Sequence, residues 1–247
     1  MPDKRSHRGK HPEDDKLFAD KWIPVLRDAV EDLSHLLSRG YNEKSALKLV
    51  GDRHQLDVRQ RRAVLGAACS DESLRRRRDH LVPPEELTGR PLTVDGYNLL
   101  ITTESALSDA VLLRGRDGCI RDLASLHGSY RKVEETLPAI SLIGRRLEEL
   151  RVGPVTWYFD APVSNSGRLK GLVCEQAEQQ GWDWQVELSK GTDHALVASG
   201  DVVATSDSWI LDRAAAWANV AASVIARMDP STRVIDMGRQ AGRPSSL

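Results

Sequence analysis

Apolar residues step by three and four from Ile23 through Leu26, Val30, Leu33 and Leu37 and stop at Gly40, which predicts an amphipathic helix with a glycine end. ALKLV at 46–50 and RQRRAVLGAAC at 59–69 keep the helical spacing in shorter runs. ESLRRRRDH at 72–80 keeps it with almost no apolar face. The polar, charged stretch 1–16 has nothing to bury and is expected to be disordered. VPPEELTGRP at 82–91, with three prolines and a glycine, reads as a linker. The front of the chain, 17–81, is therefore expected to be a small all-helical domain.

Beyond residue 91 the period changes. LTV at 92–94, VTWYF at 155–159, WQVEL at 184–188, VVAT at 202–205 and RVID at 233–236 are candidate strands. Helical patterns lie between them. One is nearly continuous from Leu123 to Leu150, with Pro138 expected to break it in two. Another spans 168–181 and stops at a glycine, and a last one runs over 209–228. Strand and helix in alternation predict an α/β domain over 92–237, a Rossmann-like parallel sheet between helices. GRQAGRPSSL at the end, 238–247, is expected to be a disordered tail.

Composition narrows the partners. A net charge of −1 excludes a uniformly basic nucleic-acid coat, but the charge is uneven. Residues 1–90 hold 19 Lys and Arg against 16 Asp and Glu, and the remainder 16 against 20, so a slightly basic front precedes a slightly acidic body. Cys69, Cys119 and Cys174 lie far apart, which offers neither a zinc site nor a disulfide framework. No apolar run has membrane-spanning length and no secretory leader is visible, so a cytoplasmic protein without a membrane partner is expected.

The acids carry the chemistry. Asp95 closes the first strand of the α/β body in VDGYN, and Asp160 closes the second in VTWYFDAP. Asp193 follows the third strand in SKGTDHAL, and Asp207 follows the fourth in VVATSDSW. In a parallel sheet all carboxyl strand ends share one edge, so four aspartates distant in sequence converge there. Two unit charges ~4 Å apart repel by roughly 4 kcal/mol at an effective dielectric near 20. A divalent cation removes that repulsion, and oxygen ligands without His or Cys favour Mg²⁺ or Mn²⁺. The chemistry that fits is metal-assisted hydrolysis of a phosphodiester. Each acid also has a structural reading: Asp160 as a turn residue, Asp193 and Asp207 in first helical turns with Thr192 and Ser206 as N-caps. Asp201, Asp212, Glu104 and Asp109 are weaker candidates for the same edge. Lys190 precedes the Asp193 helix, where it could meet a phosphate.

VDGYN at 94–98, KGTDHAL at 190–196 and ATSDSWIL at 204–211 resemble, in that order, the PIN-like nuclease superfamily and especially its NYN branch. The resemblance covers residues 92–237 and implies RNA cleavage with Mg²⁺ or Mn²⁺. It maps Asp95, Asp160, Asp193 and Asp207 onto catalytic and metal-site positions, with Asn98 and Ser206 orienting ligands or phosphate. The whole chain also resembles a bacterial and archaeal family of unknown function that pairs a short helical domain with a PIN-like one.

Other features are less specific. VRQRR (58–62) and SLRRRR (73–78) could grip phosphates or form solvated helix faces. ALKLVGDRHQLDVRQRRAVL has the outline of a helix-turn-helix, a shape shared with plain helical domains. His127 and His194 lack partners at ligand spacing, and Trp157, Trp182, Trp184 and Trp209 are expected to pack the sheet, or to stack on a base where exposed. Phosphate-loop and nucleophile-elbow motifs are absent. The expected function is a Mg²⁺- or Mn²⁺-dependent ribonuclease, with the helical unit presenting substrate or a protein partner. The alternative is a non-catalytic nucleic-acid-binding or regulatory protein. A phosphohydrolase of another Rossmann-like type is disfavoured, since VDGYN lacks a DxD pair.

Overall fold

The computed structural model describes residues 7–124, 130–228 and 232–238. It divides into two compact units, each built from separate stretches of chain.

The described residues of the larger unit fall within 1–9, 80–110 and 124–232. Its sheet contains β1 (Leu92–Asp95), β4 (Val155–Asp160), β5 (Trp184–Ser189), β6 (Val202–Ala204) and β7 (Trp217–Ala218), in the order β5-β4-β1-β6-β7. Every pairing is parallel. Period-two alternation sorts the side chains to two faces. Leu92 and Val94 of β1, with Val155, Trp157 and Phe159 of β4, are buried in the main core. That core is completed by α6 (Gly96–Leu107), α7 (Thr136–Glu149), α8 (Ser166–Gln180) and α11 (Val220–Ile225). On the other face Val203 and Tyr158 pack with Leu196 of α9 (Thr192–Ala198) and Ile210 of α10 (Ser208–Leu211). The expected α/β architecture, a mainly parallel sheet with flanking helices after a helical front, is what the chain forms.

The described residues of the smaller unit fall within 10–79, 111–123 and 233–247. Its helices are α1 (Asp14–Leu17), α2 (Ile23–Ser38), α3 (Glu43–Arg53), α4 (Val58–Ala67) and α5 (Asp71–Asp79). Leu26, Val30 and Leu33 of α2 form the apolar stripe read from the sequence, and Phe18, Val50 and Val64 close over it. A second sheet joins the same core: β2 (Leu112–Arg114) pairs antiparallel with β3 (Ile120–Asp122) and parallel with β8 (Val234–Asp236).

Several expectations change. RVID does form a strand, but it pairs with Leu112–Arg114 rather than extending the large sheet. The helix expected over 209–228 is broken: α10 ends at Leu211, Trp217 and Ala218 pair with Val203 and Ala204, and Asn219 caps α11 by accepting from the Ala222 N–H at 3.2 Å. Strand pairing there outweighs the helix preference of the alanines. Pro138 does not break a helix, because α7 starts at Thr136 and its first turn needs no amide donor. Residues 125–129 of that pattern lie outside the described residues, as does His127. In the stretch expected to be a linker, Val82 and Leu87 are buried in the large core. Of the stretch expected to be disordered at the start, residues 7–16 are placed: Arg8 bonds Glu104, and Asp14 is buried against Arg59. Residues 1–6 and 239–247 lie outside the described residues.

Three arginines of the basic runs are engaged within the small unit, while Arg75, Arg76 and Arg78 are exposed. Arg59 pairs with Asp14 at 2.6 Å and Arg61 with Asp52 at 2.8 Å. Arg77 is buried rather than on a surface face, donating to Asp117 Oδ2 at 2.6 Å, while Arg121 donates to Oδ1 at 2.9 Å and to Oδ2 at 2.7 Å. Burial alone would raise the Asp117 pKa, but the two guanidiniums outweigh it and hold it at about 2.

Candidate active site at the sheet switch point

Counted within the large unit, the strands run 3-2-1-4-5, so the chain leaves β1 in one direction and β6 in the other. The crevice outside the carboxyl ends of two such strands is where open α/β sheets bind ligands. Asp95 stands at the end of β1, and Thr205, Ser206 and Asp207 follow β6.

VDGYN can now be read residue by residue. Leu92 and Val94 bury their side chains, and α6 begins immediately after Asp95. Gly96 is required because an added Cβ would come within 2.4 Å of the Phe159 ring. Tyr97 packs edge-on against the same ring, centroids 5.0 Å apart. Asn98 turns its side-chain oxygen to the opposite loop, accepting from the Ser206 N–H at 2.9 Å and the Ser206 hydroxyl at 3.0 Å. The Thr205 hydroxyl donates to Asp95 Oδ2 at 2.8 Å and accepts from the Asp207 N–H at 3.0 Å. Two side-chain bridges thus fasten the β1 end to the β6 end.

The acids sense one another. Burial is the main force raising the Asp95 pKa, to about 7. The Thr205 hydroxyl opposes the rise, and the charges of Asp207 and Asp193 add to it. Asp193 is also raised, first by desolvation and then by Asp207 and Asp160, while His194 works the other way. Tyr97 is pushed up to about 12 by burial and by Asp160. The structure therefore brings Asp95, Asp160, Asp193 and Asp207 to one edge.

Local roles differ from expectation. Asp207, not Ser206, is the N-cap of α10, accepting from the Trp209 and Ile210 amides at 2.8 and 3.2 Å through Oδ1. Gly191 occupies the N-cap of α9, and Thr192 is its first residue. Lys190 is exposed in the turn before it. Glu104 does not face the edge: it is buried in α6, accepting from Arg8, from Tyr130 and, at 2.7 Å, from Thr136. Asp109 lies past the end of α6 at positive φ. Asp201 accepts from Thr93 at the amino end of β6, and Asp212 caps the far end of α10. Trp157 is fully buried, while Trp209 lies between His194, with ring centroids 4.9 Å apart, and the Arg213 guanidinium. Thr205, unremarked in the sequence, carries a signal in hindsight: a hydroxyl two residues before an aspartate at a helix start.

The donor set suits a hard cation, since every candidate ligand at this edge is oxygen. Two buried hydroxyls here, Thr192 Oγ1 and Tyr97 Oη, have no hydrogen-bond partner among the described residues. Among the described residues, however, no three Asp, Glu, His or Cys side chains are disposed to hold one metal ion. What fits is an ion held as Mg²⁺ often is, by one or two carboxylates with water and substrate oxygens completing the shell. Asp95 and Asp207, bridged through Thr205, are the carboxylates that could hold such an ion. No described helix is long and apolar enough to cross a membrane.

Comparison with known proteins places these features in a family. A domain of unknown function, DUF5616, matches residues 84–223, and a protein family of unknown function, DUF434, matches residues 25–80. An uncharacterised protein of Methanocaldococcus jannaschii is 30% identical over 186 residues, covering 75% of this chain and 88% of that protein. No solved structure matches. The candidate edge, from Asp95 to Asp207, lies wholly within the first of these matches, and the chain belongs to the DUF5616 family.

Proposed function

We propose that the large unit is a metal-dependent ribonuclease of PIN-like type, hydrolysing RNA phosphodiesters with Mg²⁺ or Mn²⁺. The observation that carries the reading is Asp95, a carboxyl kept near neutral pKa by burial and by the acids around it at the switch point of the sheet. Such perturbation is characteristic of functional clefts. The order of VDGYN, KGTDHAL and ATSDSWIL supports the same reading through its resemblance to the NYN branch.

Bound there, the cation would supply positive charge against the phosphate oxygens and lower the pKa of an attacking water. Asp95 and Asp207 would hold it. Asn98 and Thr205 fix the spacing of the two strand ends, so the carboxylates need little reorganisation when a cation arrives. Asp193 and Asp160 extend the negative edge toward β5 and β4, and Ser206 and Lys190 lie beside it to orient phosphate.

Incubating single-stranded and structured RNA with Mg²⁺ or Mn²⁺ tests the proposal, with wild type beside Asp95→Asn and Asp207→Asn. Loss of at least tenfold in each variant, about 1.4 kcal/mol of barrier, is expected. Equal activity in all three ends the nuclease reading. The lack of a three-carboxylate cluster among the described residues favours a second reading, an RNA-binding or regulatory protein without cleavage. Melting under Mn²⁺ titration separates the two, since an ion bound to the folded state raises Tm by mass action.

A further inference from the structure

A cavity of about 300 Å³ opens in the large unit between Tyr130, Arg131, Lys132, Asn165, Arg168 and Leu169. Three of its lining side chains are cations, and none of the three pairs with a carboxylate among the described residues. The neighbouring acids are already engaged: Glu134 and Glu135 with His7, and Glu104 with Arg8.

The backbone around the cavity is fixed. The Tyr130 N–H donates to the Ser164 carbonyl at 3.1 Å, and the Tyr130 carbonyl accepts from Asn165 Nδ2 at 2.9 Å. Asn165 adopts a left-handed conformation, φ 70°, at the start of α8. The Arg131 carbonyl accepts from Arg8 at 3.3 Å, and the Arg8 guanidinium lies over the Tyr130 ring. Arg131 and Lys132 are thereby carried on a segment pinned to the loop that leads into Arg168. Like charges gathered on a rigid frame repel one another, and an anion in the cavity relieves that repulsion.

The cavity adjoins the acidic edge. Its Asn165 belongs to the loop that begins at Asp160. The Tyr130 ring lies 5.6 Å from the ring of Tyr97, two residues beyond Asp95. An edge of carboxylates repels a polyanion, so a strand engaging it needs positive charge close by.

The geometry points to this cavity as a phosphate site for the substrate strand: Arg131, Lys132 and Arg168 hold a backbone phosphate of RNA next to the one presented to Asp95 and Asp207. The inference rests on the ribonuclease reading for the identity of the strand, but its test needs no cleavage. Binding of a fluorescein-labelled oligouridylate is followed by anisotropy in EDTA between 50 and 200 mM KCl, conditions that leave a failed metal site without effect.

Each cation that engages a single strand contributes about 0.7 to the slope of log K against log salt. The double variant Arg131→Gln/Arg168→Gln should therefore bind at least tenfold more weakly, with a slope shallower by about 1.4. Lys44→Gln/Arg145→Gln removes equal charge from exposed positions elsewhere and should bind as wild type does. AMP, tested as a competitor at constant ionic strength, distinguishes a strand from a free nucleotide and should bind far more weakly than the oligonucleotide. An unchanged slope in the first variant, an equal loss in the second, or AMP binding as tightly as the strand would each overturn the assignment.

Discussion

Replacing Asp95 with asparagine should make the protein more stable while removing the metal-dependent cleavage proposed for it. The carboxyl has a folded-state pKa of about 7 against an ordinary 3.8. An acid raised in this way favours the fold fully while it is protonated in both states, below pH ~4. That contribution is lost as pH rises toward and through about 7, because the unfolded chain releases the proton first. At 1.36 kcal/mol per pH unit the separation is worth about 4 kcal/mol. Asp95 is partly exposed, and screening makes this an upper bound. Asparagine keeps the shape and an oxygen able to accept from Thr205, but carries no charge to desolvate. At pH 8 Asp95→Asn should therefore exceed wild type by about 1–4 kcal/mol, each kcal/mol raising Tm by roughly 2–4 °C in a chain of this size. At pH 4 the difference should vanish. Thermal melts of both proteins at the two pH values, in EDTA, make the measurement. A variant less stable than wild type at pH 8, or a difference independent of pH, would refute the account of Asp95 as a charge held at a cost.

Two other perturbations follow from the packing. Arg77→Ala leaves Asp117 buried with one of its two guanidiniums missing and should cost about 3–5 kcal/mol in urea titrations. In wild type the lowered Asp117 pKa makes the same site a contributor of about 2 kcal/mol above pH ~4, lost as pH falls toward 2, so an acid titration should reveal it. Gly96→Ala drives a methyl group into the Phe159 ring and should destabilise by about 1–3 kcal/mol, and under the proposed ribonuclease reading it should also lower RNA cleavage, since Gly96 separates Asp95 from Tyr97.

The five strands read from the sequence are all strands, because each is a short run of β-branched or aromatic residues bounded by turn formers. Their partners were not readable. RVID has the same composition whether it joins the large sheet or β2, and only the docking of Ile235 and Met237 beside Leu26 and Phe18 decides between them. The β2–β3 hairpin did carry a local signal, Asp117-Gly118 between apolar runs, with Gly118 at φ 80°. Arg77 shows the converse failure. Within DESLRRRRDHL it is indistinguishable from Arg75, Arg76 and Arg78, and what buries it is an aspartate 40 residues away.

The candidate edge was partly readable for the same reason. That aspartates end successive parallel strands is a property of the sequence, and the topology rule turns that property into proximity without further information. What the rule cannot supply is how a side chain divides its hydrogen bonds. Asn98, three residues after Asp95 in VDGYN, looks like a ligand, yet its oxygen is bound to Ser206 and ties the start of α6 to the loop after β6. Thr205 looks like the end of a strand, yet it is the hydroxyl through which Asp95 and Asp207 are linked. These two bridges hold acids in place that repulsion would otherwise drive apart, so part of the stability of the domain is used to keep Asp95 in an environment that disfavours its charge. Asp117 is the opposite case, a buried aspartate held by two arginines with its pKa displaced downward.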